Sequence, residues 1–231
     1  PAGREWLNAL PANVEAIAFT CEDRHRSVKT LRASHVRVDG RGISLTMHWG
    51  EQAGDVQTSL IGRFNVENLL ATGAALLALG YPLTRVIAAL PAVSAVSGRM
   101  EQISAEKKPL AIIDYAHTPD ALEKALRAAR EHCTGTLFCV FGCGGDRDTG
   151  KRPLMATVAE QNADEVFVTD DNPRNESAEA IVNDILSGFV APASVQVIHD
   201  RAEAIRCALG EATDNDVVVI AGKGHEQYQL V

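Results

Sequence analysis

The sequence predicts an α/β protein whose second half folds as a Rossmann-like parallel sheet with flanking helices. Two observations support this prediction. From about residue 98, short runs of apolar and β-branched residues alternate with helical stretches of about a dozen residues, which is typical of βαβ units. Residues 1–97 show a different order, with extended pieces first and helices afterwards, so we expect a separate domain there.

The alternating half divides into elements in chain order. The predicted strands are PLAIIDYA, TLFCVFG, EVFVTD, VQVIHD and DVVVIAGKG. The predicted helices between them are PDALEKALRAAREH, KRPLMATVAEQNA, SAEAIVNDILSGFV and RAEAIRCALGEA. Because crossovers between parallel strands are right-handed, we expect residues 98–231 to form a doubly wound sheet.

The first half begins with a short helical run, REWLNAL, and continues with the extended pieces VEAIAFT, VRVDG, ISLTMHWG and VQTSLIG. Glycines between these pieces are typical of hairpin turns. The segment NVENLLATGAALLALG is apolar on most faces, so it predicts a well-buried helix that ends at Gly80 and Pro82. A second helix, LTRVIAAL, is expected to end at Pro91.

The composition is that of a globular protein with ample core, since 46% of the 231 residues are hydrophobic and 23% are charged. The net charge of −8 argues against a nucleic-acid partner, because such a protein needs a basic face. The sequence has no run of about 18 apolar residues and no basic-then-apolar leader, so we expect no membrane association. We therefore expect a cytoplasmic protein.

The five cysteines are odd in number and lack CxxC spacing, which is typical of a reducing compartment. Cys139 and Cys143 lie around the end of a predicted strand, where a metal site is one interpretation. We instead expect both to be buried small hydrophobic side chains, and we predict no metal ligands in this chain.

Unusual polar residues follow the predicted strands of the second half. They lie in DYAHTPD (114–120), GCGGDRD (142–148), DDNPRN (170–175), His199–Asp200 and GKGHE (222–226). Ligands of open α/β sheets bind outside the carboxyl ends of the strands. We therefore expect these segments to meet at one rim of the sheet and to form a binding site.

Residues 145–151 have the spacing G-x-x-x-x-G-K of a phosphate-binding loop. However, Arg152 stands where a Mg²⁺-binding Ser or Thr is required, and Asp146 and Asp148 would repel phosphates. We interpret the match as accidental. Arg147 can instead grip a carboxylate through two hydrogen bonds. The alternative is an ion pair between Arg147 and one of these aspartates on a solvated loop.

The sequence DNPR, at residues 171–174, is a second candidate. Pro173 restricts Asn172 to extended geometry, and Arg174 offers another fork for a carboxylate. Two such arginines beside aspartates would recognise a ligand with more than one carboxylate and an amine. The alternative is a loop whose polar residues merely cap the following helix.

The remaining candidates lie at other strand ends. The glycines of GKGHE let backbone approach a ligand, and Glu226 offers an acceptor for an ammonium group. Asp114 ends the first predicted strand, where an aspartate commonly binds ribose hydroxyls, although a salt bridge with Arg99 is the alternative. His117 and His225 are exposed candidates, but a loop histidine is more often a hydrogen-bonded surface residue.

The segments RFNVENLLA, SGRMEQI, DYAHTPDALEKAL, VFGCGGDRDTGKRPLMA, TDDNPRNESAEAI and AGKGHE together resemble the Mur ligase family, in particular its diaminopimelate-adding, MurE-type branch. The resemblance covers nearly the whole chain. It implies that residues 1–97 are the later part of a central ATPase domain. It also implies that residues 98–231 are most of a C-terminal Rossmann-like, amino-acid-binding domain that is truncated at its end. The family's ATP loop, G-T-N-G-K-T, is not in this sequence, so the chain alone is expected to be inactive.

The resemblance also implies site residues, by matching motifs. The residues that match contacts to meso-diaminopimelate are Arg147, Asp171, Asn172, Pro173, Arg174, Gly222 and Glu226. The residues that match contacts to the nucleotide are Asn68, Arg99, Asp114 and His117. Lysine-adding relatives depart from the DNPR motif, notably at the arginine.

The implied activity is ATP-driven amide ligation in peptidoglycan-precursor synthesis, through an acyl phosphate. The implied partners are small molecules, namely UDP-N-acetylmuramoyl-L-alanyl-D-glutamate, meso-diaminopimelate and ATP. ATP and Mg²⁺ are expected to be bound mainly by parts of the central domain outside this chain, and the protein is expected to be a monomer. Two alternatives stay open: a lysine-adding or folylpolyglutamate-type ligase of the same fold, and a non-catalytic amino-acid-binding module.

Overall fold

The computed structural model describes residues 9–11, 13–21, 28–39, 42–226 and 228–229. The chain divides into two compact units, residues 1–94 and 95–231, and each is described by itself. Most of the predicted helix REWLNAL lies outside the described residues. Within those residues, no helix is both long enough and apolar enough to cross a membrane.

The described part of the first unit contains a four-stranded sheet. Its strands are β1 (Ile17–Thr20), β2 (Lys29–Asp39), β3 (Gly42–Trp49) and β4 (Gln52–Thr58). β1 and β2 are parallel, whereas β2, β3 and β4 form antiparallel pairs. The prediction of a short extended piece at VRVDG is wrong at its start, because β2 begins at Lys29. A bulge between Ser34 and Arg37 interrupts its alternation.

Two helices follow this sheet, α1 (Phe64–Ala78) and α2 (Leu83–Ala89), and a 3₁₀ turn comes next at Leu90–Ala92. The buried residues of α1 recur at helical spacing: Val66, Leu69, Leu70, Gly73 and Ala74. They form one stripe, so the prediction of burial on most faces is wrong. Phe64, at the start of the helix, is 47% exposed, and Leu79, directly after its end, is 75% exposed.

The second unit contains the predicted parallel sheet, which the structure confirms. Its strands are β5 (Glu101–Ile103), β6 (Leu110–Asp114), β7 (Leu137–Phe141), β8 (Glu165–Val168), β9 (Gln196–Val197) and β10 (Val217–Ala221). Their order is β5-β6-β10-β7-β8-β9. Only the edge pair of β5 and β6 is antiparallel among these strands. All five residues of β7 are buried, as expected for a central parallel strand covered on both faces.

Helices cover the sheet on both faces. They are α3 (Pro119–Arg130), α4 (Lys151–Asn162), α5 (Ala178–Leu186) and α6 (Arg201–Glu211). α3 packs against α4, and α4 packs against α5. α6 packs against Phe138 and Val140 of β7. Because side chains alternate along a strand, the buried Cys139 between them faces the opposite side of the sheet.

Side-chain caps fix where several of these helices begin. Thr118 accepts a hydrogen bond from the backbone N–H of Ala121 at the start of α3. Asp200 does the same for the backbone N–H of Glu203 at the start of α6. Threonine and aspartate are favoured at this position because they satisfy N–H groups that lack a helical partner. The caps therefore end the polar segments that follow β6 and β9.

The strand order determines which loops become neighbours. The chain runs from β6 outward through β7, β8 and β9, and then returns through α6 to insert β10 between β6 and β7. The carboxyl ends of β6, β10, β7 and β8 therefore lie side by side. The predicted strand VQVIHD is reduced to β9, because this edge segment pairs with β8 at two residues only.

Candidate functional site

The candidate site lies at the carboxyl ends of β6, β7, β8 and β10. Four segments follow these strands: the β6 loop (residues 115–118), the β7 loop (142–150), the β8 loop (169–177) and the β10 loop (222–226). Most of the residues predicted to bind a ligand lie in these loops, as the order of the strands requires.

The β7 and β8 loops are packed against each other. The backbone N–H of Gly145 donates to the carbonyl oxygen of Asn172 at 2.9 Å. Arg174 Nη1 donates to the carbonyl oxygen of Gly145 at 2.7 Å. A Cβ atom at Gly145 would lie 1.9 Å from the carbonyl oxygen of Pro173, so only glycine allows this approach. The two loops that carry the predicted arginines therefore form one surface.

Arg174 is held to this surface by one end of its guanidinium group. Its Nη1 atom also donates to the carbonyl oxygen of Asn172 at 3.4 Å, and the residue is exposed, with a φ of 54°. Its Nε and Nη2 atoms make no hydrogen bond to the described residues. The helix that follows is capped by Ser177, not by the DNPR turn. The capping alternative is therefore wrong, and the carboxylate fork stays a prediction.

Arg147 is exposed on the β7 loop. Its Nη1 atom donates to the carbonyl oxygen of Asp146 at 3.3 Å. The Asp146 carboxylate accepts a hydrogen bond from Asn175 Nδ2 at 2.7 Å, and Asp148 Oδ1 accepts one from the backbone N–H of Gly150 at 2.9 Å. The alternative of an ion pair between Arg147 and these aspartates is wrong, since both carboxylates stabilise the loops instead.

Arg152, which follows the P-loop-like spacing, has a structural role. Its side chain is only 1% exposed, and it forms ion pairs with Glu176 and Asp184, each at 2.8 Å. Its Nη2 atom also lies 3.4 Å from the carbonyl oxygen of Gly144, which accepts from it. The hydrogen bond from Arg152, followed by the backbone N–H of Asp146, lowers the pKa of Glu176. Arg152 thus anchors the β7 loop to the β8 loop.

The β10 loop contributes a nearly buried ammonium group that the sequence analysis missed. Lys223 Nζ donates to Asn172 Oδ1 at 3.1 Å and lies 3.3 Å from Asp171 Oδ1. It is also 3.9 Å from Glu226 Oε2. The predicted residues Asp171, Asn172 and Glu226 therefore come together around one cation. The sequence GKGHE gave no signal for this role, because glycines on either side leave the backbone freer and the partners of Lys223 are distant in sequence.

Arg201 is a second residue that sequence reasoning missed. It lies at the start of α6, is 7% exposed, and donates from Nη2 to the carbonyl oxygen of Ala221 at 2.7 Å. Its Nη1 atom is buried and has no hydrogen-bond partner among the described residues. Burial lowers the pKa of this guanidinium, and the charge of Asp171 opposes that effect. Arg201 therefore places positive charge beneath the β8 and β10 loops.

Gly222 connects these groups with the first parallel strand. Its φ is 114°, which is the region that favours glycine, and its N–H donates to the carbonyl oxygen of Asp114 at 3.1 Å. A Cβ atom at this position would lie 3.3 Å from Asp171 Oδ2. The backbone of the β10 loop therefore runs close beside the Asp171 carboxylate.

Asp114 and Arg99 lie near each other in the chain fold but are not an ion pair. Asp114 Oδ2 accepts from the backbone N–H of Met100, and Oδ1 accepts from that of Ala116, each at 2.8 Å. Arg99 instead stacks on Tyr115, with its Cζ atom 4.3 Å from the ring centroid. The salt-bridge alternative is therefore wrong within this unit.

The two other predicted nucleotide contacts lie in different surroundings. His117 is exposed, its Nδ1 atom is 2.8 Å from the carbonyl oxygen of Tyr115, and its ring meets that of Tyr115 edge to face. Asn68 belongs to the first unit, where its Nδ2 atom donates to Asn65 Oδ1 at 2.9 Å. The roles of both residues stay predictions.

The cysteines near the rim are buried. Burial raises the pKa of Cys139 to about 12 and that of Cys143 to about 11. Cys143 contacts Met155 with 3.7 Å between the sulfur atoms. Within the described residues, no three His, Cys, Asp or Glu side chains form a group that could hold a metal ion.

Two hollows of the second unit are candidate binding sites. A narrow crevice runs between the β7 and β8 loops and is lined by Cys143, Asp171 and Pro173 among others. A wider hollow of about 270 Å³ lies beside the ends of α3 and α4. In the wider hollow Arg130 already pairs with Asp164. We place the candidate site at the rim, because that is where charged groups converge beside exposed guanidinium groups.

Comparisons with known proteins agree with this fold. Residues 98–224 match the family model described as Mur ligase, glutamate ligase domain. A solved UDP-N-acetylmuramoyl-L-alanyl-D-glutamate–2,6-diaminopimelate ligase is 36% identical, with a TM-score of 0.74, over 98% of this chain and 46% of that chain. This chain therefore spans less than half of that protein.

Two more distant structures show the fold alone. UDP-N-acetylmuramate–alanine ligase MurC from Thermotoga maritima is 23% identical, with a TM-score of 0.63, over 84% of this chain and 44% of that chain. Folylpolyglutamate synthase from the same organism is 24% identical, with a TM-score of 0.64, over 85% of this chain and 46% of that chain.

Proposed function

The chain belongs to the Mur ligase family, and on this premise we propose that the intact protein is an ATP-dependent amide ligase. It adds meso-diaminopimelate to UDP-N-acetylmuramoyl-L-alanyl-D-glutamate in peptidoglycan-precursor synthesis. Residues 98–231 bind the incoming amino acid, and residues 1–97 are the later part of the ATPase domain. Because the chain spans 46% of the solved diaminopimelate ligase, the complete reaction is assigned to the intact protein.

One observation carries the proposal: the DNPR turn is folded onto the β7 loop by the hydrogen bond from Arg174 to Gly145. This contact presents Arg174 on the same surface as Arg147. The carboxylates of Asp171, in the β8 loop, and Glu226, in the β10 loop, both lie near Lys223. Diaminopimelate carries two carboxylates and two amines. A surface with exposed guanidinium groups and nearby carboxylates offers partners to both kinds of group.

In the proposed reaction, a carboxylate oxygen of the peptide attacks the γ-phosphorus of ATP, and ADP leaves. The amine of diaminopimelate then attacks the acyl carbon, the C–N bond forms, and phosphate leaves as the amine loses its proton. The residues of this chain hold the amino acid for the second step. Arg147 and Arg174 bind its distal carboxylate, and Asp171 and Glu226 accept hydrogen bonds from its distal ammonium group.

The second unit also fits part of a nucleotide. Each Asp114 carboxylate oxygen accepts one backbone hydrogen bond and keeps a lone pair for a ribose hydroxyl. Arg99 is exposed and can pair with a phosphate, and His117 is a further proposed contact of this unit. Asn68 is a proposed nucleotide contact of the first unit. When bound, ATP supplies the phosphoryl group that activates the carboxylate. Mg²⁺ is proposed to be held mainly by parts of the central domain outside this chain.

The proposal is tested by replacing Arg174 with alanine in the intact ligase. We expect kcat/KM for meso-diaminopimelate to fall about 10- to 100-fold, because a charge-assisted hydrogen bond contributes about 1.5–3 kcal/mol. The value for L-lysine, which lacks the distal carboxylate, changes little. The measurement compares both amino acids at saturating ATP and UDP-linked dipeptide.

The matched control is Arg127→Ala, which removes an exposed arginine that pairs with Glu123 on α3, outside the rim loops. Its ratio of the two kcat/KM values stays at the wild-type level. An unchanged ratio for Arg174→Ala contradicts the assignment of the distal carboxylate. Wild-type preference for lysine or a glutamyl substrate supports the related ligases instead. Amino-acid binding without any ligation supports the binding module.

A further inference from the structure

The ammonium group of Lys223 is surrounded by oxygens of the candidate site. Its side chain is 11% exposed, and its nearest partners are Asn172 Oδ1 at 3.1 Å, the Tyr228 carbonyl oxygen at 3.2 Å and Asp171 Oδ1 at 3.3 Å. Glu226 Oε2 lies 3.9 Å away. The ammonium group thus donates hydrogen bonds to Asn172 and Tyr228, and its charge also pairs with Asp171 and Glu226.

The backbone around Lys223 cannot move without breaking other contacts. Gly222 and Gly224 on either side have φ values of 114° and 50°. A Cβ atom at Gly224 would lie 2.8 Å from the carbonyl oxygen of Gly98 and 2.8 Å from Cβ of Tyr115, which shows how tightly this turn is enclosed. The position of the ammonium group is therefore set by the turn as well as by its oxygen partners.

Lys223 also balances charge within the site. The side chains of Asp171 and Glu226 are 14% and 25% exposed, so water screens their negative charges only in part. Without a cation between them, the two carboxylates would repel each other. The nearby Arg201 already donates to the backbone of Ala221. Lys223 is the cation that contacts both carboxylates among the described residues.

The same contact fixes the orientation of a side-chain amide. Since Lys223 can only donate, the Asn172 atom that faces it must be the oxygen, and the nitrogen is the donor end of that amide. Asn172 is 4% exposed, so its amide is not reoriented freely by solvent. The contact with Lys223 therefore favours the orientation in which Asn172 Oδ1 is the acceptor.

We propose that Lys223 is a positioning residue of the amino-acid site: its ammonium group fixes Asp171, Asn172 and Glu226 in the arrangement that binds the substrate. This inference rests on the proposed function and adds to it a residue that acts through these contacts. The site thus already holds one ammonium group, and the substrate's distal ammonium binds beside Lys223 rather than in its place.

The test compares Lys223→Met and Lys223→Arg with wild type in the intact ligase. We expect Lys223→Met to raise KM for meso-diaminopimelate at least about tenfold, which corresponds to a loss of about 1.4 kcal/mol. KM for ATP stays within about twofold of wild type. Lys223→Arg recovers part of the loss, because it keeps a cation at the centre of the site. Lys124→Met, which removes an exposed lysine paired with Asp120, is the control and changes neither constant.

A second comparison asks whether Lys223 acts through Asp171. When Lys223→Met is made in an Asp171→Asn background, we expect a much smaller further rise in KM than in wild type. Equal effects in both backgrounds overturn the proposal. The proposal is also overturned if Lys223→Met leaves KM for diaminopimelate unchanged or changes the KM values of all substrates equally. A lower KM for diaminopimelate overturns it as well, because Lys223 would then compete with the substrate.

Failure of the proposed function is recognised from wild type alone. If wild type ligates another amino acid, the substrate assignment falls and the effect of Lys223→Met is measured on that amino acid. If wild type ligates none, both proposals fall together. An active wild type with an unaffected Lys223→Met variant overturns only the role of Lys223.

Discussion

Four arginines lie around the same rim, and they are of two kinds. Arg147 and Arg174 are exposed and donate only to backbone carbonyl oxygens. Arg152 and Arg201 are 1% and 7% exposed, and their guanidinium groups lie beneath the loops. The first pair can reach a ligand, whereas the second pair holds the surface that presents the first. At this rim, only the exposed arginines are therefore available to a ligand.

The largest expected effect on stability comes from the buried kind. Arg152→Met removes both ion pairs and the contact with Gly144 while keeping most of the side-chain volume. We expect the free energy of unfolding to fall by about 2–3 kcal/mol, the range for hydrogen bonds to charged groups. Urea unfolding of the variant and of wild type measures this difference.

Arg206→Met is the control for this prediction. Arg206 forms an ion pair with Glu203 on α6, but its side chain is 66% exposed. A solvent-exposed pair contributes little, so the expected loss is below about 0.5 kcal/mol. Equal losses for the two variants would remove the distinction between buried and exposed arginines.

The sequence predicted the parallel sheet but not its full strand order. The alternation of apolar runs and helices predicted the parallel sheet, because strands buried on both faces need continuous apolar sequence. It also placed the polar segments after the strands. The insertion of β10 between β6 and β7 has no local signal, since it depends on how all the helices pack. That insertion places β10 one strand away from β8, so that Lys223 reaches Asp171 and Asn172 of the β8 loop.

The exposed arginines of the site were predicted from the sequence, whereas its buried cations were missed. The motif around Arg174 could be recognised from its sequence, and its contact with the β7 loop is a consequence of the sheet. Lys223, Arg152 and Arg201 carry the same kinds of charge, but their partners are distant in sequence. Burial of a charged side chain arises from such long-range contacts, so composition and spacing do not reveal it.

A smaller effect follows from the pKa of Glu176, which the hydrogen bond from Arg152 lowers. A depressed folded-state pKa stabilises the fold above the ordinary glutamate value of about 4.3, and this stability is lost as pH falls through the folded-state value. We expect wild type to be more stable than Glu176→Gln at pH 7. The difference should shrink below about pH 4.3. Unfolding of both proteins between pH 7 and pH 3 measures this; a difference that grows in acid would have the wrong sign.

The smallest effect on stability is expected for the exposed kind. Arg147→Ala removes a single hydrogen bond to the backbone of Asp146, at 3.3 Å on an exposed loop, so the free energy of unfolding should change by less than about 0.5 kcal/mol. In the intact ligase the same variant should raise KM for meso-diaminopimelate about tenfold or more, because it removes a proposed partner of the distal carboxylate. Arg152→Met should show the opposite balance, with a large loss of stability. If Arg147→Ala instead destabilises the fold and leaves KM unchanged, Arg147 belongs with the structural arginines, and the carboxylate site must be explained by Arg174 alone.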